Sequence, residues 1–117
     1  MKQVLLVDDS PVQLRVRETV LRNAGLEVST AADVDSALAL MNTSGDTIGV
    51  VVTDHLLPGR SGADLVRELR ALKYTLPIIV VSGMPQIEDE YEGLSAEFCM
   101  KPLPPEQLIA AVRKALA

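Results

Sequence analysis

Five side chains able to do chemistry each stand where an apolar run stops. Asp8 and Asp9 follow Gln3–Val7, Asp54 follows residues 48–53, Ser82 follows residues 77–81, and Lys101 follows residues 98–100. If those runs are parallel strands, the five residues gather at one edge of a sheet. In open α/β sheets, ligands bind outside the carboxyl ends of the strands. Three carboxylates in one place repel one another, at roughly 4 kcal/mol per pair for a separation of about 4 Å and an effective dielectric of about 20. A hard divalent cation relieves that repulsion, and an all-oxygen ligand set suits Mg²⁺. With an ammonium and a hydroxyl added, the set fits phosphoryl transfer. One carboxylate attacks phosphorus, the cation and Lys101 neutralise the equatorial oxygens, and the hydroxyl donates a hydrogen bond. No Gly-rich phosphate loop is present, so the phosphoryl group must come from elsewhere than a cradled nucleotide.

Each residue also has a plainer role. Asp8 or Asp9 could cap a helix together with Ser10, Ser82 could cap a strand end, and Lys101 alone could be a surface lysine. None of these accounts for all five positions falling at strand ends.

The elements that would place them alternate. Short β-branched runs near residues 3–7, 27–30, 48–53, 77–81 and 98–100 read as strands buried on both faces. Between them lie stretches with helical period. Ser10 caps the first helix with Pro11 at its first position; Val12, Val16, Val20, Leu21 and Ala24 are expected to form its apolar stripe, and Gly25 to follow its end. Asp33 caps a second helix, in which Val34, Ala37, Leu38 and Met41 keep core spacing. A turn is expected over residues 42–46. Ser61 and Asp64 form a capping-box pair ahead of Leu65, Val66, Leu69 and Leu72. The last helix starts near Pro104 and Pro105 and turns Leu108, Ile109, Val112, Ala115 and Leu116 to one face. The order is (βα)5, which implies an α/β doubly wound parallel sheet with right-handed crossovers.

At 117 residues the expectation is one domain, residues 1–117, able to bury a core of its own. Hydrophobic residues make up 48% and aromatics 3%, so that core is aliphatic. The formal net charge of −5 argues against a nucleic-acid surface in this domain. Glu88, Asp89, Glu90, Glu92 and Glu97 read as a solvated face. Cys99 is the single cysteine and lies in an apolar run, which suits a buried, inert thiol. No stretch approaches a membrane span and no signal peptide is evident, so a cytoplasmic location is expected.

These residues, taken together, resemble the receiver domain of two-component signalling over the whole chain. The motifs are VDDS at Val7–Ser10, TDHLLPGRSG at residues 53–62, VVSG at residues 80–83 and MKP at residues 100–102. The resemblance implies a flavodoxin-like five-stranded sheet of order 2-1-3-4-5. It implies that Asp54 is the phosphoacceptor. Asp8 and Asp9 would position Mg²⁺, with Asp9 favoured over Asp8 as the direct ligand, and Asp54 and the backbone carbonyl of Leu56 would complete the protein ligands. Ser82 matches the switch hydroxyl, Lys101 the phosphate-contacting lysine with a cis bond to Pro102, and Phe98 the switch aromatic. Pro58 and Gly62 match the loop after the acceptor, Leu57 replaces a more usual Met, and Gly83 replaces a common Ala. The implied partner is a histidine kinase or a histidine phosphotransfer domain, with the downstream protein undetermined.

One stretch departs from the family. Eighteen residues separate Ser82 from Lys101, fewer than the family usually has, with Pro85 and Gly93 bracketing an acidic segment. A shortened or irregular fourth helix is expected, spanning residues 86–92 at most. The wording around Asp54 is similar to receivers joined to hybrid histidine kinases, while Met1 permits a free-standing receiver.

The function implied is a phosphoacceptor switch that assists its own phosphorylation and dephosphorylation, not an enzyme with a free substrate. Leu56 and Met84 are apolar and cannot orient a water, which implies slow loss of the phosphoryl group. Two alternatives belong to other classes. One is a pseudo-receiver that binds partners without phosphorylation. The other is an aspartyl-phosphate phosphatase similar to the haloacid dehalogenases, which needs a DxDxT motif where this chain has Asp8-Asp9-Ser10-Pro11.

Overall fold

Short aliphatic strands and capped helices alternate along the chain, in a computed structural model that describes residues 2–117. The strands are β1 (Gln3–Val7), β2 (Val28–Ala31), β3 (Ile48–Asp54), β4 (Ile78–Ser82) and β5 (Glu97–Met100). The α-helices are α1 (Pro11–Asn23), α2 (Val34–Ser44), α3 (Gly62–Ala71) and α4 (Pro105–Leu116). All strand pairs are parallel, in the order β2-β1-β3-β4-β5. The expected strands are therefore present to within a residue at their ends, and the flavodoxin-like order is the one observed.

Local chemistry explains the helix ends. Ser10 Oγ accepts from the Gln13 amide at 3.3 Å, and Pro11 opens α1. Gly25 follows the helix with φ of +87°, a conformation a side chain would strain. Asp33 Oδ1 accepts from the Ser36 amide at 2.7 Å, which holds its carboxyl below the usual range. Ser61 and Asp64 bond reciprocally at the start of α3. The turn expected over residues 42–46 begins later, because α2 continues through Ser44 into a 3-10 turn at Gly45–Thr47.

The two faces of the sheet carry separate cores. Leu5, Val7, Val51, Ile78 and Val80 pack under α2 and α3 with Met41, Leu65 and Leu69. Val4, Leu6, Val50, Val52, Ile79 and Val81 pack under α1 and α4 with Leu21, Leu108 and Val112. The stripe expected on α1 is corrected: Val12 is 72% exposed and Val16 53%, while Arg17 and Leu21 are buried and Leu14 half-buried. The buried phase follows Leu14, Arg17 and Leu21 at i, i+3 and i+7, with an arginine in the middle slot. Leu72 is likewise exposed, at the C-cap of α3.

The (βα)5 count is also corrected. Among the described residues there are four α-helices, and between β4 and β5 stands one 3-10 turn, Glu88–Tyr91. The shortening expected from the sequence is thus borne out in its extreme form. Ile87 and Tyr91 are buried and anchor the turn, while Glu88, Asp89, Glu90 and Glu92 face solvent as expected. Gln86, Gly93 and Ser95 have positive φ, which breaks any longer helix on either side. Among the described residues no helix is long and apolar enough to cross a membrane.

Candidate functional site

Parallel pairing sets the ends of β1 and β3 side by side, with Val7 opposite Thr53. The carboxylates that follow therefore converge. One oxygen each from Asp8, Asp9 and Asp54 lies within 4.8 Å of the others. Asp8 and Asp54 are buried and Asp9 is exposed. Asp8 does not cap α1, since Ser10 Oγ does that; instead Asp8 Oδ1 accepts the Ser10 amide at 2.9 Å. The three acids line an open cavity of about 340 Å³ with Ser10, Gln13, Leu56, Leu57, Pro58 and Lys101. Burial pushes the Asp8 carboxyl above its ordinary range and the charge of Asp54 adds to this, while the Ser10 amide and the Arg17 guanidinium oppose it. An all-oxygen cluster of this kind fits a hard divalent cation.

Lys101 reaches the same place from the end of β5. Its Nζ lies 3.2 Å from Asp54 Oδ1 and 3.3 Å from Oδ2. The Lys101–Pro102 peptide is cis, as expected. The Lys101 amide donates to the Ser82 carbonyl at 2.9 Å, which ties the ends of β4 and β5 together.

Ser82 and Phe98 sit next to this cluster, not in it. Ser82 Oγ accepts the Met84 amide at 3.0 Å, and no hydrogen bond joins it to Asp54. Phe98 is 37% exposed at the sheet edge and meets the Tyr91 ring edge-on at 5.2 Å. Ser82 and Phe98 share a cavity of about 160 Å³ with Met84, Ile87, Cys99 and Met100. Cys99 is half-buried, and burial together with Glu97 raises its thiol pKa, in line with an inert thiol. Gly83 has room for a Cβ, which would meet only Lys101 Cβ at 3.8 Å.

Two residues given no role in the sequence reading take part. Arg17 Nη1 donates to Asp8 Oδ2 at 3.0 Å and to Asp54 Oδ1 at 3.4 Å, from the buried face of α1. Its signal was available: it occupies an apolar slot between Leu14 and Leu21, where an arginine needs a buried partner. His55 is buried directly after Asp54. Its Nδ1 lies 2.7 Å from the Tyr91 hydroxyl, and its Nε2 lies 3.3 Å from Glu90 Oε2. Burial and the charge of Glu90 raise the Tyr91 pKa. The strand carrying Asp54 is thus wired to the 3-10 turn through its next residue. Gly62 makes room for this: a Cβ there would lie 2.5 Å from the Asp54 carbonyl and 2.9 Å from the Tyr91 hydroxyl. Among the described residues, every buried side-chain polar atom has a hydrogen-bond partner.

Comparison with known proteins agrees with this geometry. The family model of the response regulator receiver domain matches residues 4–113. The chain is 34% identical over 116 residues to the probable transcriptional regulatory protein TcrX of Mycobacterium tuberculosis, covering 97% of this chain and 49% of that protein. It is 36% identical over 120 residues to the C4-dicarboxylate transport transcriptional regulatory protein DctD of Pseudomonas aeruginosa, covering 97% of this chain and 25% of that protein. The chain therefore spans between a quarter and a half of the length of these relatives. Among solved structures, the chemotaxis response regulator CheY4 of Vibrio cholerae superposes with a TM-score of 0.87, at 30% identity and 99% coverage of both chains. The receiver domain of the hybrid histidine kinase CckA gives a TM-score of 0.84 at 30% identity, covering 98% of this chain and 99% of that one. By matched motifs, sheet order and converging acids, this chain belongs to the response regulator receiver domain family.

Proposed function

We propose that the chain is a phosphoacceptor switch that takes a phosphoryl group from a phosphohistidine onto Asp54. The observation that carries this reading is the Asp54 carboxylate itself, 5% exposed, within 4.8 Å of Asp8 and Asp9 oxygens and 3.2 Å from the Lys101 ammonium. In the transfer, an Asp54 oxygen forms the bond to phosphorus as the phosphorus–nitrogen bond breaks, and the imidazole leaves. Asp8, Asp9, Asp54 and the Leu56 carbonyl would hold Mg²⁺, which would supply positive charge to the phosphoryl oxygens. Lys101, beside the Asp54 carboxylate, would neutralise a phosphoryl oxygen. No free substrate is turned over. The domain serves as the acceptor and promotes its own phosphorylation and later hydrolysis.

The switch proper uses Ser82 and Phe98. The Ser82 hydroxyl, whose oxygen accepts the Met84 amide, donates its proton in a hydrogen bond to a phosphoryl oxygen, which draws the end of β4 toward Asp54. Phe98 then moves from its half-exposed place at the sheet edge toward the space that Ser82 leaves. This is a shift between two arrangements, biased by a new charge. The donor is a histidine kinase or histidine phosphotransfer domain, and a downstream protein reads the changed surface. The net charge of −5 argues that DNA is not the partner of this domain itself.

The test is to add Mg²⁺ and beryllofluoride and to follow backbone amide shifts in the wild type and in Asp54→Asn. Large shifts at Ser82, Phe98 and Lys101 in the wild type, absent in the variant, are expected. A silent wild type would contradict the switch and leave a phosphorylation-independent binding module. Leu56 and Met84 are exposed and apolar, so labelled phospho-Asp54 is expected to decay slowly. Loss within seconds would contradict that expectation.

A further inference from the structure

We propose that Arg17 is a tethered cation that competes with the divalent metal for Asp8 and Asp54, and so raises the metal concentration at which the site becomes competent. This rests on the metal-site reading above and adds to it a threshold set by one residue of α1.

Arg17 stands at a core position of the helix, 9% exposed, between half-buried Leu14 and buried Leu21. A guanidinium in that slot is unfavourable unless a carboxylate answers it. Its partners are the two buried acids of the cluster. A single nitrogen, Nη1, lies 3.0 Å from Asp8 Oδ2 and 3.4 Å from Asp54 Oδ1. One cationic atom bridging oxygens of two different carboxylates stands in the relation to them that a bound metal ion would take. Both hydrogen bonds of this guanidinium are to those acids, so any ion that claims the same oxygens deprives Arg17 of its partners.

The charge balance points the same way. Three carboxylates face two cationic side chains, Arg17 and Lys101, and the remaining deficit is one charge. Without Arg17 the deficit is two, which matches a divalent ion. The fold also offers the displaced side chain a place. Arg17 lines a groove of about 480 Å³ that runs beside the acids between α1 and the start of α4, along Gln13, Val16, Lys101 and Leu103. Swinging into it keeps the guanidinium solvated and frees the two oxygens. The domain is then receptive only where divalent cation is plentiful enough to displace its own arginine.

The experiment is a Mg²⁺ titration of the full chain followed by backbone amide shifts at Asp9, Asp54 and Leu56, in the wild type, Arg17→Leu and Arg17→Lys. Loss of one competing unit charge at this range is expected to tighten Mg²⁺ binding by about tenfold or more in Arg17→Leu. Arg17→Lys, which keeps the charge, is expected to stay near the wild type. The side-chain Nε–Hε resonance of Arg17 is followed in the unaltered chain and is expected to move in step with saturation, which keeps the test independent of how well the variants fold. Equal or weaker binding by Arg17→Leu, or an Arg17 resonance that stays fixed while the wild type saturates, overturns the inference and leaves the metal site standing. Failure of every chain to bind Mg²⁺ at millimolar concentration overturns both.

Discussion

At the ends of β1 and β3, side-chain charges answer one another; between β4 and β5, side chains answer backbone. The first region packs Asp8 and Asp54 against Arg17 and Lys101. The second lacks the helix that would satisfy its own carbonyls, and α3 supplies donors instead. Arg70 donates to the carbonyls of Leu94 at 2.7 Å and Ser95 at 2.9 Å in that connection, and also to those of Tyr74 at 2.9 Å and Leu76 at 2.8 Å in the loop before β4. Backbone groups taken out of water must be paired somewhere, and one planar guanidinium ties this connection to the loop before β4. The lesson is one of division. The charged edge gathers three acids whose oxygens fit a hard cation. The connection beside it is anchored by Ile87, Tyr91 and donors from α3, with most of its other side chains facing solvent.

If the contrast is sound, the connection fails when α3 lets go. Arg70→Ala is expected to cost about 3 kcal/mol in urea unfolding, since it strips several charge-assisted bonds at once. Amide exchange over residues 84–96 should then become faster than in the β1–β3 core. Unchanged protection there would mean that the segment holds itself. A smaller effect is expected from Tyr91→Phe, which removes the partner of His55 Nδ1 at a cost of roughly 1–2 kcal/mol. That variant should move Phe98 and His55 resonances and leave the Mg²⁺ affinity at Asp9 as it was. A change in metal affinity would show that the two regions are one.

The mildest effect is a pH dependence confined to the charged edge. The Asp8 carboxyl is raised from an ordinary 3.8, chiefly by burial, so the folded chain holds its proton more tightly than the unfolded one. The Asp8 contribution to the stability of the metal-free chain should therefore fall as pH climbs from 3.8 through the raised value, and stay level below it, against the opposite trend from Asp33 and Asp64, whose carboxyls are held low. Asp8→Asn should remove that contribution, and saturating Mg²⁺ should offset it in the wild type. Identical pH profiles for the wild type and Asp8→Asn would contradict the raised Asp8 carboxyl.

Much of this was legible in the residues. The strands announced themselves as β-branched runs, and the caps Ser10, Asp33 and Ser61 bond as their types suggest. The convergence of Asp8, Asp9, Asp54 and Lys101 followed from strand ends alone. The stripe of α1 was misread because three valines at helical spacing outweighed an arginine. Tertiary charge decided the phase: Asp8 and Asp54 hold Arg17 inward, and Val12 and Val16 turn out. His55 gave no signal because its partners, Tyr91 and Glu90, lie far along the chain in an irregular segment. The missing helix was visible in Pro85, Gly93 and the short span, but its replacement by Arg70 was not. A guanidinium bonding to carbonyls leaves no pattern in sequence spacing.

The central claim is that Asp54 accepts a phosphoryl group with the help of the surrounding acids and Lys101. The most direct measurement is the intact mass of the chain after incubation with Mg²⁺ and a small-molecule phosphoryl donor. A mass gain of one phosphoryl group is expected in the wild type, lost on chelation of Mg²⁺ and lost in Asp54→Asn. No gain in the wild type, or an equal gain in Asp54→Asn, would contradict it.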